Sequence, residues 1–84
     1  GVHAQQPTVG RCAGGRAWVG TLTGDVVVLD LDARRPSVVG VLPGDGTPVT
    51  AMDLRGDTLL VGHRSGAAAR WSLDGTQRVD LRVR

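Results

Sequence analysis

The sequence predicts an all-β chain built from two copies of one four-stranded antiparallel unit, and three observations carry that prediction. First, the chain repeats itself: an offset of 42 positions carries Val19-Gly20-Thr21-Leu22-Thr23-Gly24 onto Val61-Gly62-His63-Arg64-Ser65-Gly66. Without a gap, the same offset pairs Thr8 with Thr50, Gly14 with Gly56, Leu31 with Leu73, Asp32 with Asp74 and Val41 with Val83, so two units, 1–42 and 43–84, fill the chain. Second, Val and Gly dominate while Glu, Lys, Ile, Asn, Phe and Tyr are absent, which leaves Arg as the only straight-chain charged residue suited to helix surfaces. Third, the apolar runs are short and punctuated by glycine, as strands joined by tight turns require.

The elements follow in order. First strands are expected at Thr8 to Ala13 and Val49 to Leu54, closed by the glycine turns Gly14-Gly15 and Arg55-Gly56-Asp57. Second strands cover Arg16 to Thr21 and Thr58 to His63, and turns ending on Gly24 and Gly66 lead into third strands Val26 to Leu31 and Ala67 to Leu73. Turns at Asp32-Ala33-Arg34 and Asp74-Gly75-Thr76, with Asx-type bonding expected at both Asp residues, precede fourth strands Ser37 to Leu42 and Gln77 to Val83. Between the units, Pro43-Gly44-Asp45-Gly46-Thr47-Pro48 is too rigid and glycine-punctuated for a strand and reads as a crossover.

Side-chain periods separate outer from middle strands. Residues Arg78 to Arg84 alternate charged with apolar, the pattern of a strand with one packed and one wet face. Val26-Val27-Val28-Leu29 and Leu59-Leu60-Val61-Gly62 are apolar on both faces and need cover on both sides. Val19, Val61, Leu29, Trp71, Leu31 and Leu73 are the expected core. A gapless repeat of about 40 residues made of four short strands is the signature of a β-propeller blade, which cannot bury its own faces and stacks on neighbours. The fold expected is two four-stranded antiparallel propeller blades, in a ring completed by oligomerisation, with three or four copies giving six or eight blades, or by missing blades of a longer chain. The competitor is one small sandwich or barrel, which gives no reason for the repeat.

Composition bounds the function. Ten basic and eight acidic residues leave a net charge of +2, and the high isoelectric point reflects missing Lys and Glu more than a basic face, so nucleic acid is not implied. The all-Arg, all-Asp usage points to GC-rich coding. Cys12 cannot form an intramolecular disulfide and joins no Cys/His cluster; its offset partner Leu54 suggests a small buried hydrophobe. The run Val26 to Leu29 is far too short for a bilayer and no membrane partner is expected; the reading is a soluble protein, cytoplasmic rather than secreted. The chain starts at Gly1 rather than Met, as a processed or excised product would.

Pro48 to Leu54, then Asp57 to Gly66 and Arg70-Trp71-Ser72-Leu73, resemble a WD-repeat blade, and Trp18 to Asp30 is similar to blades of quinoprotein-type or regulator-type propellers. The resemblance implies a non-catalytic interaction scaffold. Trp71 stands where the WD-repeat tryptophan stands, Ser72 replaces its aspartate, and Thr23 and Ser65 occupy the hairpin position where that family has aspartate. The family's buried network of Trp, Ser/Thr, His and Asp is therefore not expected.

Candidate chemistry is thin. His63, Ser65 and an Asp could be drawn as a hydrolase triad, but no Gly-x-Ser-x-Gly elbow supports it, and His3 and His63 lack zinc-ligand spacing. No catalytic residue, cofactor or metal site is nominated. The Arg residues 34, 35, 55, 64 and 70 read as dispersed charge rather than a phosphate patch. Topology places the second-to-third-strand hairpins and the crossover on one rim, which nominates Thr21, Leu22, Asp45, Thr47, His63 and Arg64 for contact with another protein. The alternatives are a pure self-assembly element and, third, an enzyme.

Overall fold

A computed structural model describes residues 6–81, and among these there is no helix. Eight strands, β1 (Pro7–Ala13), β2 (Arg16–Thr21), β3 (Val26–Asp30), β4 (Ser37–Leu42), β5 (Val49–Arg55), β6 (Thr58–His63), β7 (Ala68–Ser72) and β8 (Arg78–Leu81), form two antiparallel sheets. Each is a meander, β1-β2-β3-β4 and β5-β6-β7-β8, so the expected all-β architecture is present.

The internal repeat is geometric as well as textual. Ala13↔Arg16 and Cys12↔Ala17 in the first sheet correspond, 42 residues on, to Arg55↔Thr58 and Leu54↔Leu59 in the second. Both first strands carry a bulge at the same place, with Thr8 and Thr50 as the extra residues. Gly24 and Gly66 close the second hairpins at φ 94° and 93°, a conformation that costs other residues strain. The offset is lost in the fourth strand, which corrects the gapless reading. Asp30 faces Ser37 across six residues, whereas Ser72 bonds Gln77 across four, and Val39 adds a bulge to β4 alone.

The expected third strands are slightly too long. After Asp30 the chain turns because its carboxylate accepts the Asp32 amide at 2.9 Å, so Asp30 rather than Asp32 fixes this turn. In the second sheet Asp74 does so, accepting Thr76 N at 3.0 Å, Thr76 Oγ1 at 2.7 Å and Ser72 Oγ at 2.6 Å. Leu31, just past β3, still donates its amide to the Gly15 carbonyl at 2.8 Å, but its side chain is 40 % exposed rather than buried. The expected strand residues Arg82 and Val83 lie outside the described residues.

The sheets pack face to face. Trp18, Val26, Val28 and Leu42 from the first meet Val49, Met52, Leu59, Val61, Ala69 and Trp71 from the second. Gly20 sits at the closest approach: a Cβ there would meet Val49 Cγ1 at 2.6 Å and Met52 Sδ at 3.2 Å. Contact is tightest where β5 lies on β1 and β2, and the sheets part toward β4, leaving a hollow of about 330 Å³ between Val39–Leu42 and Leu73–Gly75. The arrangement is a wedge.

Cross-strand partners share a face of a sheet. In the first sheet the packed face holds Trp18↔Val28 and Gly20↔Val26. Their equivalents, Leu60↔Arg70 and Gly62↔Ala68, lie on the outward face of the second sheet. The packed face of the second sheet holds Leu59↔Trp71 and Val61↔Ala69, whose equivalents, Ala17↔Leu29 and Val19↔Val27, lie on the outward face of the first. The two units therefore meet head to tail, each through the face the other leaves open. This corrects the expected core: Val61 and Trp71 are buried, but Val19 and Leu29 point outward and are half-buried, and Leu73 is half-buried in its turn. Cys12 shares the outward face, on edge strand β1, and is exposed rather than buried.

Candidate functional site

Both second hairpins and the crossover gather at one end of the wedge. The first hairpin is locked under the crossover: Gly44 N donates to Asp25 Oδ1 at 2.9 Å, and a Cβ on Gly24 would meet the Thr47 carbonyl at 2.6 Å. The second hairpin is tied to the crossover by Arg64 N donating to the Pro48 carbonyl at 2.9 Å and by a cluster of side chains.

Asp45 is the centre of that cluster. Its Oδ1 accepts Thr47 N at 2.9 Å and Thr47 Oγ1 at 2.6 Å, an Asx-type turn that folds the crossover on itself. Its Oδ2 accepts Ser65 Oγ at 2.5 Å, joining the crossover to the hairpin twenty residues on. His63 Nδ1 lies 3.2 Å from the Thr47 carbonyl and 3.3 Å from Asp45 Oδ1. Both are acceptors, so the arrangement calls for the tautomer that carries hydrogen on Nδ1. The Ser65 hydroxyl, then the Thr47 hydroxyl and amide, hold the Asp45 carboxyl well below its ordinary range, against a smaller opposing effect of desolvation.

Of the six nominated residues, the structure brings Asp45, Thr47 and His63 into one network. Arg64 is beside it and exposed. Leu22 is exposed on the neighbouring hairpin, with its amide donating to the Gln6 carbonyl at 3.1 Å. Thr21 has no surface to offer a partner: it is 1 % exposed, and its hydroxyl donates to the Asp25 carbonyl at 2.9 Å. Ser65 was not nominated for contact; the sequence grouped it with His63 and an unspecified Asp only as a triad drawn on paper, because the Asp45 it binds lies in another element.

The network positions groups rather than activating one. Ser65 gives its proton to Asp45 instead of His63, so the serine–imidazole contact a triad depends on is not made. Next to the network lies a hollow of about 300 Å³ lined by Pro43, Asp45, His63, Trp71, Arg78 and Asp80. On one side the Arg78 guanidinium carbon sits 5.6 Å from the Trp71 ring centre, and Arg78 Nε lies 3.1 Å from Asp80 Oδ1. Among the described residues, no group of three His, Cys, Asp or Glu side chains is placed to hold a metal, and no helix is long and apolar enough to cross a membrane. Compared with known proteins, the chain matches no family model, no curated protein and no solved structure.

Proposed function

We propose that this chain is a pair of propeller-type repeat units serving as a rigid, non-catalytic interaction scaffold, with the crossover end as the rim that meets another protein. The observation that carries the reading is the head-to-tail use of faces. A two-fold sandwich would pack the same face of both units, whereas a propeller stack packs opposite ones, as Trp18/Val28 and Leu59/Trp71 do here. The wedge, tight at β1 and β5 and open toward β4, supports it, since blades that radiate from an axis diverge outward. The rim follows from the Asp45 network, which fixes backbone at that end while leaving Arg64 and Leu22 in solvent; loops held on a rigid frame are where recognition concentrates.

A photo-cross-linking residue placed at Arg64, and in a second chain at Arg55 on the opposite end, tests the rim in extract of the source cell. The scaffold reading expects one discrete adduct from position 64 and none from position 55. Equal labelling from both ends, or from neither, overturns it. A second reading, a pure self-assembly element, is favoured by one observation: the outward faces of both sheets leave apolar side chains half-buried, as Val19, Leu29 and Leu60 are, or exposed, as Val38 and Val41 are.

A further inference from the structure

We infer that the open face of the first sheet is a docking surface for the open face of the second sheet of another copy of this chain, in the same head-to-tail sense in which the two sheets of one copy already meet. The inference rests on the repeat-unit reading above and adds the identity of what covers its ends.

The open face of the first sheet carries Ala17, Val19, Val27, Leu29, Val38 and Val41, without a charge among them, and Val38 and Val41 are 60 % and 51 % exposed. A sheet face that apolar is unusual in solvent unless something sits on it. The open face of the second sheet carries Ala51, Leu60, Gly62, Ala68 and Leu81 around a shallow hollow of about 220 Å³, with Asp53 and Arg70 on the same face beside Leu60. Among the described residues no further strand packs on either face, although Ala17 is already buried within its own sheet.

The repeat says what fits. Inside the chain, Gly20 makes room for Val49 and Met52. The equivalent glycine, Gly62, has only Ala51 near its missing side chain, with Cβ 3.7 Å away, so the same gap exists with no occupant. The residues 42 before Val49 and Met52 are Pro7 and Gly10, on the edge strand β1 beside the open face of the first sheet. A second copy that offers β1 to Gly62 places Pro7 where Val49 sits inside the chain, while Gly10 brings no side chain in place of Met52. Leu60 takes the role of Trp18, Ala68 that of Val26, and Leu81 that of Leu42. Val19 and Val27 receive them as Val61 and Ala69 do inside the chain. Two equivalences are polar: Arg70 stands where Val28 stands, with no carboxylate paired with it among the described residues, and Asp53, bridged to Arg55, stands where Arg11 stands. Arg70 is exposed, and a side chain of its length can lay its alkyl stem on an apolar neighbour while its guanidinium stays in solvent.

Because the contact is heterologous, each copy keeps one face free after docking, and addition continues until the ring closes. Pairs of units reach the usual range of such rings with about three or four copies.

Native mass spectrometry on the wild-type chain, on Val27→Asp and on Leu60→Asp tests this directly. The expected result is a discrete species of three or four chain masses for wild type and single chains for each variant. An equimolar mixture of the two variants gives a complex of two chains and no more, since each variant retains one working face and the two faces are complementary. A second measurement does not depend on tolerance of a buried charge. In a Cys12→Ser background, Pro7→Cys and Gly62→Cys in one chain should cross-link between copies under oxidation, while Gly62→Cys alone should not. Dimers of Leu60→Asp or Val27→Asp alone, or a disulfide from Gly62→Cys alone, mean a two-fold contact and overturn the inference. A wild-type chain that stays single also overturns it, and tryptophan emission then separates the two failures. Shielded emission from Trp18 and Trp71 means that the stacked pair stands and that blades of a longer chain cover its ends. Solvent-exposed emission removes the repeat-unit reading as well.

Discussion

Val19 and Val61 hold the same position of the same strand in the two sheets, yet Val61 is buried and Val19 half-buried. Trp18 and Leu60 differ in the opposite sense, and Leu29 and Trp71 differ as the valines do. Secondary structure is the same at all three pairs, so the difference comes from the stack: each sheet is covered on one side, and on opposite sides. Residue size follows the cover. Both tryptophans, the largest side chains available, lie in the one contact that is filled, and Leu29 and Leu60 mark the two that are not.

The sharpest way to break this comparison is to cut equivalent residues. Trp71→Ala should cost about 3–5 kcal/mol, the usual loss for a buried large aromatic. Leu29→Ala, on the uncovered face of the other sheet, should cost about 1 kcal/mol in dilute chain, within the common range for single substitutions. Urea denaturation followed by circular dichroism measures both, and equal losses would mean that the two faces are equally packed.

A smaller effect separates the glycines. Gly20→Ala drives a methyl into Val49 and Met52 and should destabilise by about 1–3 kcal/mol, the range for overpacking. Gly62→Ala meets ordinary contact with Ala51 and should stay within about 0.5 kcal/mol in dilute chain. Thermal melts of the two variants sharpen the comparison, since the same substitution at the same strand position then reports only what lies opposite.

The smallest effect is electrostatic. The Ser72 hydroxyl first, then the Thr76 amide and hydroxyl, hold Asp74 down to about 2, from 3.8. A carboxylate depressed on folding contributes stability above its unfolded value, and that contribution is lost as pH falls through the folded one. Asp74→Asn should therefore destabilise at neutral pH and lose its effect as pH falls from about 4 toward 2. Asp45→Asn should follow the same sign at the rim, where Ser65 and Thr47 act on the carboxylate. Asp32→Asn, at the position equivalent to Asp74, should cost less at neutral pH than Asp74→Asn, because the neighbouring Asp30 holds its turn. Melting curves across that pH range decide it.

Strand order, the glycine turns and the bounds of β2, β4 and β6 were legible in the sequence, because period-two patterning and glycine placement are local signals. The faces were legible only as a pair: Val26-Val27-Val28-Leu29 is apolar on both sides, and nothing local says which side is covered first. Cys12 was misplaced for that reason, since its kinship with Leu54 fixes a strand position but not a neighbour. The site was less legible than the fold. Asp45, His63 and Ser65 are drawn from the crossover, a strand end and a turn, and only packing of the hairpin on the crossover closes the distance between them. The two-residue difference between the β3–β4 and β7–β8 turns was hidden by the chance agreement of Val41 with Val83.

The bulges at Thr8 and Thr50 bear on a different hazard. An open sheet has two edges, and a regular unpaired edge templates the strand of another molecule, which is how fibrils grow. Here β1 and β5 are interrupted near their starts by the same extra residue, β4 carries its own at Val39, and β8, which has none among the described residues, alternates Arg78 and Asp80 with apolar side chains. Every edge is either kinked or charged. A chain that is 40 % hydrophobic and rich in valine strands thereby presents, among the described residues, no regular uncharged edge to template sideways strand addition.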